Sequence, residues 1–406
     1  VKYVTMWCGY IGSLFLGVML LSAPTSVSGQ LKIAALMPMS GSLAEFGATS
    51  VQGAELAVEE INAAGGVLGG IKLEIKVVDT RSDPQAAVEA ADSFLSEHSI
   101  VGMVGAMSSA VTLQLASDVT GLIQVPQISN ASTAVSISTH DDADFLFRTT
   151  PNDAMQGEVL AQTVIEQGLT DVAVLYVDND YGKGLTDVFR QKFSALGGKV
   201  SADTAFDPGG SSYQQQLALI RTDGAEALVV IAYPDDGIKI VRQSVSEDLF
   251  QRFIFSDSMR TEALVDAVPQ QYLDGSIGTS PEAVPSAIRR DFVDAFEAAY
   301  GAPPSHPFVE TAYDATYLLA MAVEKAYSES GQEIRDALRV VANPPGIPVR
   351  PGEFERVRKF LAADQDIDYF GVSGMQNFDE YGDVRGSIGV WTIRDGRIET
   401  LKRVRP

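Results

Sequence analysis

The sequence predicts an α/β protein built as two lobes of parallel sheet with a cleft between them, and three observations lead there. At 406 residues the chain exceeds what one compact core ordinarily holds and suits two or three domains. From Leu31 onward, short β-branched runs alternate with amphipathic helical patterns, the mark of a parallel sheet made of βα units. The same alternation restarts at Val172, so the units fall into two sets. Hydrophobic residues at 46 % and charged residues at 20 % describe a folded chain rather than a disordered one. A formal charge of -23, from 53 acidic against 30 basic residues, repels a phosphate backbone and excludes nucleic acid as a partner.

Residues 1–29 read as a secretory signal peptide: Lys2, an apolar run from Tyr10 to Leu21, then the small and polar stretch Ser22–Gly29. Cleavage after Ser28 or after Gly29 satisfies the pattern equally. The run is shorter than the roughly 20 apolar residues of a membrane span. No later segment approaches that length, so a soluble, exported mature chain is expected. Cys8 lies inside the signal, which leaves the mature chain without a disulfide or a cysteine metal site. Met6 and Trp7 before it do not make a lipid-attachment motif. His98, His140 and His306 are scattered without a second ligand at helical or hairpin spacing, so no metal is expected, and no cofactor.

The elements follow in order. Leu31–Met37 is a strand, and Gly47–Ala64 a helix with Val51, Ala54, Val58 and Ile61 on one face and Glu55, Glu59 and Glu60 turned away, stopped by Gly65-Gly66. Ile71–Val78 is the next strand. Asp83 caps, and Pro84 opens, a helix to about His98. Val101–Val104 and Gln124–Ile128 continue the sheet. In the second set come the strand Val172–Val177, the loop Asp178-Asn179-Asp180, the pair Tyr181-Gly182 opening a helix, and a strand to Ala205. Ala225–Ala232 and Arg252–Phe255 are further strands, with helices after Pro234 and Met259. Helices near Ser286–Tyr300, Pro307–Tyr327 and Glu333–Ala342 lead to a terminal hairpin turning at Asp395-Gly396.

Four loops at strand ends combine helix starts, hydroxyls and aromatics, at the edge where open α/β sheets take ligands. Ser108-Ser109 opens a helix after Val104-Gly105, either as a plain cap or as a carboxylate site made of free N–H groups and a hydroxyl. Ser129–Thr133 adds hydroxyls beside it. Tyr181 and Tyr233 follow strands of the second set, where a ring either closes over a ligand or packs at the rim. Asp257, in Ser256-Asp257-Ser258, is either an N-cap or a carboxylate that meets an ammonium. In the first set Phe46-Gly47 occupies the place that Tyr181-Gly182 occupies in the second.

In order and spacing, these stretches resemble the leucine/isoleucine/valine-binding proteins, type I periplasmic binding proteins that serve ABC importers. The resemblance covers nearly the whole mature chain. It rests on Pro38–Gly41 with Phe46-Gly47, Asn62–Gly66, Asp83-Pro84, Gly105 with Ser108-Ser109, Val125–Ser129, Asp180–Gly182, Tyr313–Ala315 and Phe378–Asp383. It implies two Rossmann-like lobes joined by three crossovers, with a hinge and an interlobe cleft that closes on a small ligand. Carried over by position, Ser109 holds a ligand α-carboxylate, with Ser108 as the alternative one residue away. Ala131, Ser132 and Thr133 form the loop that contacts carboxylate and ammonium. Asp257 meets the ammonium, and Phe46, Tyr181, Tyr233 and Phe308 surround the ligand. Two departures stand out: the family often has Glu where Asp257 stands, and Asn130-Ala131 lacks the family's frequent Pro-Gly.

The resemblance implies an aliphatic amino acid as ligand, delivered to membrane permease subunits by a monomeric, non-enzymatic protein in the periplasm. Amides, urea and aromatic or oxo carboxylates are alternatives within the same fold, as is a ligand sensor. Residues 30–148 and 278–375 are expected in lobe one, with 149–277 and 376–406 in lobe two. An enzyme is disfavoured on the residues themselves. Gly65–Gly70 follows a helix and precedes a strand, the reverse of a dinucleotide fingerprint, and neither a Walker motif nor a nucleophile elbow is present.

Overall fold

The computed structural model describes residues 1–2 and 29–405, so the expected signal peptide, Cys8 included, falls almost wholly outside the described residues. The first lobe carries five parallel strands, β1 (Gln30–Met37), β2 (Lys72–Asp79), β3 (Gly102–Gly105), β4 (Gln127–Ser129) and β5 (Leu146–Arg148), in the order β2-β1-β3-β4-β5. The second carries β6 (Asp171–Val177), β7 (Lys199–Phe206), β8 (Ala227–Ile231), β9 (Phe253–Phe255) and β10 (Ile277–Pro281). β11 (Ile347–Val349) and β12 (Ile367–Tyr369) form a small separate pair. β13 (Ile388–Arg394) and β14 (Arg397–Val404) complete the second sheet, ordered β14-β13-β10-β9-β8-β6-β7 and antiparallel only at β13. The interior strand β8 is apolar throughout because helices cover both faces of its sheet: all five of its residues, Ala-Leu-Val-Val-Ile, are buried.

Most expected elements form where the sequence places them. Asp83 caps its helix by accepting the Ala86 N–H at 2.7 Å, and Asp395 and Gly396 both take positive φ at the hairpin turn, as that turn demands. β4 starts three residues later than expected because Gln124 ends a helix in the left-handed region and Pro126 has no N–H to give. The helix expected after Met259 is reduced to Glu262–Ala267.

Two lobe boundaries move. The return to the first lobe was expected at 278, yet Ile277–Pro281 is a full strand of the second sheet, paired with β9 and β13. Gly and Pro hide it, since both are poor strand formers. Gly278 is needed there, because a Cβ would lie 2.3 Å from the Trp391 ring that covers it. The third crossing was expected at 376, but Phe378 packs edge-on against Phe147 of the first lobe at 5.0 Å and is held by Asn343. The chain crosses over only after Asp383.

The aromatic-glycine pairs have a shared physical reason. A Cβ on Gly47 would sit 2.0 Å from the Pro38 carbonyl oxygen, and one on Gly182 would sit 2.0 Å from that of Val177. Only glycine lets each helix start lie against the preceding strand end, which aims Phe46 and Tyr181 into the space between the lobes.

At the crossings sits a buried ion pair. Arg148, at the end of β5, is bidentate on Asp383, with Nε to Oδ1 at 2.5 Å and Nη2 to Oδ2 at 2.7 Å. Ser138 and Asn152 also donate to Asp383. Burial alone would raise the Asp383 carboxyl, but the Arg148 bonds and charge, with Ser138 and Asn152, outweigh it and hold the group below the ordinary carboxylate range. Asp383→Asn leaves a buried guanidinium without its counter-charge and is expected to lower the unfolding free energy by about 3–5 kcal/mol at pH 7 in denaturant titrations. A depressed carboxyl stabilises above its unfolded value and stops doing so as pH falls through the folded one. The gap between variant and wild type therefore closes below about pH 4.

Candidate functional site

Between the lobes lies a small cavity. Its wall contains Phe46, Ser109, Ala131, Thr133, Tyr181, Tyr233, Asp257 and Phe308, joined by Leu43, Met107 and Ser258. Ten residues were singled out from sequence, and eight of them meet here from both lobes. The lobes are shut on one another: Phe46 is 1 % exposed, and Tyr181 and Asp257 2 % each.

The other two, Ser108 and Ser132, are buried next to the cavity but are not in its wall. Ser108 occupies the cap position of the helix starting at Ser109, yet its hydroxyl makes no cap. It reaches across the cleft to the Tyr233 hydroxyl at 3.1 Å. Ser132 turns inward, bonded to the Thr112 hydroxyl at 2.7 Å and donating to the Met107 carbonyl at 3.0 Å. Ser109, rather than Ser108, therefore faces the cavity, at a helix start whose first N–H groups have no intrahelical acceptor.

The loop around Thr133 is gripped from behind. Arg148 Nη1 donates to the carbonyls of Ser132 at 3.3 Å and Ala134 at 2.9 Å, and the Asp153 N–H donates to that of Thr133 at 2.8 Å. The Ala134 N–H in turn donates to the Ser109 hydroxyl at 3.2 Å, tying loop to helix start. Phe308 holds a positive φ of 76°, and its carbonyl accepts from Asn130 at 3.1 Å and from Thr311 at 3.0 Å. Those bonds fix the ring against the cavity.

In the second lobe, Asn179 caps the helix that carries Tyr181 by accepting the Gly182 N–H at 3.0 Å. The rings of Tyr181 and Tyr233 stack at 5.7 Å. Asp257 follows β9, and its Oδ1 accepts from the Tyr181 hydroxyl at 2.6 Å and from Gln156 Nε2 at 3.0 Å. Burial drives its carboxyl up, against the pull of those two donors. Burial also pushes the Tyr233 hydroxyl up, to about 12, so it stays a neutral donor.

Sequence reasoning missed Asp153 and Gln156. They lie one helical turn apart on the helix Asp153–Glu166, on the side facing Asp257. Asp153 is fully buried and neither carboxylate oxygen has a hydrogen-bond partner. Burial, then the charge of Asp257, drives it well above the ordinary range. The legible signal was an acidic residue and an amide three positions apart at a helix start just after the first crossover. The arrangement offers oxyanion donors at the Ser109 helix start, a buried carboxylate opposite, and apolar walls at Leu43, Phe46, Met107 and Phe308. Among the described residues there is no grouping of three or more metal-ligating side chains, and no helix long and apolar enough to cross a membrane.

Two lobes of this topology closed on a small cavity define a solute-binding protein of the type I periplasmic class. The model of the family described as "Periplasmic binding protein" matches residues 30–359, and the chain belongs to that family. Among its relatives is the leucine-, isoleucine-, valine-, threonine- and alanine-binding protein of Pseudomonas aeruginosa, 28 % identical over 312 residues, covering 76 % of this chain and 82 % of the relative. Another is the chemotactic signal transduction system substrate-binding protein BasB of Halobacterium salinarum, 26 % identical over 351 residues, covering 84 % and 82 %. The crystal structure of the branched-chain amino acid transporter substrate-binding protein LivJ from Streptococcus pneumoniae, in complex with isoleucine, superimposes with a TM-score of 0.77 at 26 % identity, covering 93 % of this chain and all of that one.

The Ser108–Tyr233 bond joins the lobes directly, so it belongs to the closed form. Tyr233→Phe is expected to weaken ligand binding by about two- to tenfold, the worth of one hydrogen bond. In a double-mutant cycle by calorimetry, adding Ser108→Ala to it should cost nothing more.

Proposed function

We propose that this protein is the extracytoplasmic receptor of an ABC importer for an aliphatic amino acid, which it encloses between its lobes and presents to membrane permease subunits. The observation that carries the reading is the pairing of opposite chemistries across one small cavity. A helix start with Ser109 and the Thr133 loop suits a carboxylate, and Asp257 suits an ammonium. A buried carboxylate is costly unless a cation meets it, and a zwitterion brings that cation. The walls Leu43, Phe46, Met107 and Phe308 suit an apolar side chain, and the small cavity limits its size. The Pseudomonas relative, named for leucine, isoleucine, valine, threonine and alanine, and the Streptococcus relative, named for branched-chain amino acids, support this choice of ligand.

Catalysis forms no part of this function: the polar groups in the cavity wall pair with charges of the ligand and supply no nucleophile with its base. The protein acts as a monomer in the periplasm, and closure is its signal to the permease. The Halobacterium relative, named for chemotactic signalling, supports a sensory use of the same closure beside transport.

Asp257→Ala is expected to cost about 2–5 kcal/mol of amino-acid affinity, roughly thirtyfold to several thousandfold, while circular dichroism and the unfolding midpoint without ligand stay near those of the wild type. Calorimetric affinity unchanged by this substitution would remove Asp257 as the ammonium partner.

A further inference from the structure

His306 is a titratable side chain at the junction of the lobes that takes no part in the cleft itself. It stands in Pro303-Pro304-Ser305-His306-Pro307, just before Phe308, where the fixed φ of three prolines stiffens the backbone. Its ring lies on that of Phe46 with centroids 4.7 Å apart, so it backs one wall of the ligand cavity. Ser305 Oγ is 2.9 Å from its Nδ1, and the Glu45 carboxylate is 3.5 Å from its Nε2. With the lobes shut, the side chain is 12 % exposed.

Part of that cover comes from the opposite lobe. His306 shares a hollow on the hinge side of the cleft with Arg260 and Pro281 of the second lobe. The charge of Glu262, at the start of the second-lobe helix Glu262–Ala267, also reaches the ring. The other charges around the hollow largely cancel: Arg260 pairs with Glu282 at 3.1 Å, and Arg289 with Glu310 at 2.9 Å. Arg385, the remaining charge in that wall, opposes a second cation.

The closed junction is therefore a poor place for an imidazolium. Burial holds the ring below the ordinary histidine range, and the pull of Glu45, followed by that of Glu262, does not make up the difference. When the lobes part, the cover from Arg260 and Pro281 is withdrawn and water reaches the ring, while Glu45, on the first lobe, stays beside it. An imidazolium thus forms more easily in the open state than in the closed one.

We propose that His306 is a proton-operated release: a proton taken up on its ring favours the open lobes and loosens the ligand in the cleft. It acts as a positioning residue, through Phe46 and the lobe junction. Well above the ordinary histidine value of about 6.5 the ring is neutral in both states and closure is unaffected. As pH falls through that value, the open state gains a proton that the closed state does not, and closure weakens. Asp153 and Asp257 are also pushed toward protonation, so acid acts on the cleft through them as well, and substitution at 306 separates the two effects.

The test uses L-leucine and so rests on the amino-acid reading above. The imidazole C–H signals of the wild type are followed by NMR from pH 8 to pH 5, with and without saturating L-leucine, His98 and His140 serving as internal references and His306→Gln as the assignment. The His306 midpoint is expected about one pH unit lower with leucine, and those of His98 and His140 unmoved. By calorimetry, leucine affinity should fall roughly fivefold to tenfold more between pH 7.5 and pH 5 in the wild type than in His306→Gln, with the two proteins nearly equal at pH 7.5. A His306 midpoint that is unchanged or raised by leucine overturns the release, as does an equal loss of affinity on acidification in the variant. A wild type that binds no leucine at pH 7.5 overturns the amino-acid reading, and the release with it.

Discussion

Arg148 and Asp383 form the contact on which the rest of the architecture turns. Arg148 is fully buried at the end of the last strand of the first sheet, and Asp383 is the last residue before the chain crosses for the third time. One guanidinium fork thus fastens the third crossover, while Asn152 in the first crossover donates to the same carboxylate. The remaining nitrogen of the fork holds the carbonyls of Ser132 and Ala134, the loop that faces the cavity. Hinge geometry and site geometry are therefore set by one buried pair, whose strength comes from bidentate geometry and from further bonds that satisfy the remaining oxygen capacity.

The same commitment sets the electrostatics of the cleft. Arg148 is the cation whose charge reaches Asp153, but its bonds go to Asp383, to the Ser138 hydroxyl and to backbone carbonyls. It cannot fully neutralise the acids beside it. Asp153 and Asp257 are both buried and both pushed toward the protonated form, and neither makes an ion pair among the described residues. On the amino-acid reading proposed above, closing the lobes on an ammonium would relieve that cost, and selectivity for a cationic group and the energy of closure would have one origin.

Much of this was legible in the residues. Alternating runs gave the two sheets, and the glycine after Phe46 and after Tyr181 marked the two helix starts that approach the cleft, because a Cβ there would strike a strand carbonyl. Hydroxyls at 108–109 and 132–133 marked one wall of the cavity, although which of each pair faces it depends on local twist that no spacing encodes. The strand at 277–281 was hidden because its Gly and Pro are dictated by packing against Trp391, not by strand propensity. Asp153 was hidden for a related reason: an acidic residue in the first turn of a helix reads as ordinary, and only the fold shows it enclosed beside Asp257.

The pairing of a carboxylate with Ser109 and of an ammonium with Asp257 is tested most directly by thermal unfolding, after carried-over ligand is removed by unfolding and refolding, with L-leucine and with its deaminated and 2-oxo analogues. A ligand that binds only the folded state raises the midpoint as its concentration passes its dissociation constant. Leucine should raise the midpoint in that manner while both analogues, lacking the ammonium, leave it nearly unmoved. Equal stabilisation by either analogue would contradict the account, because the buried carboxylate at 257 would then have no cation to meet.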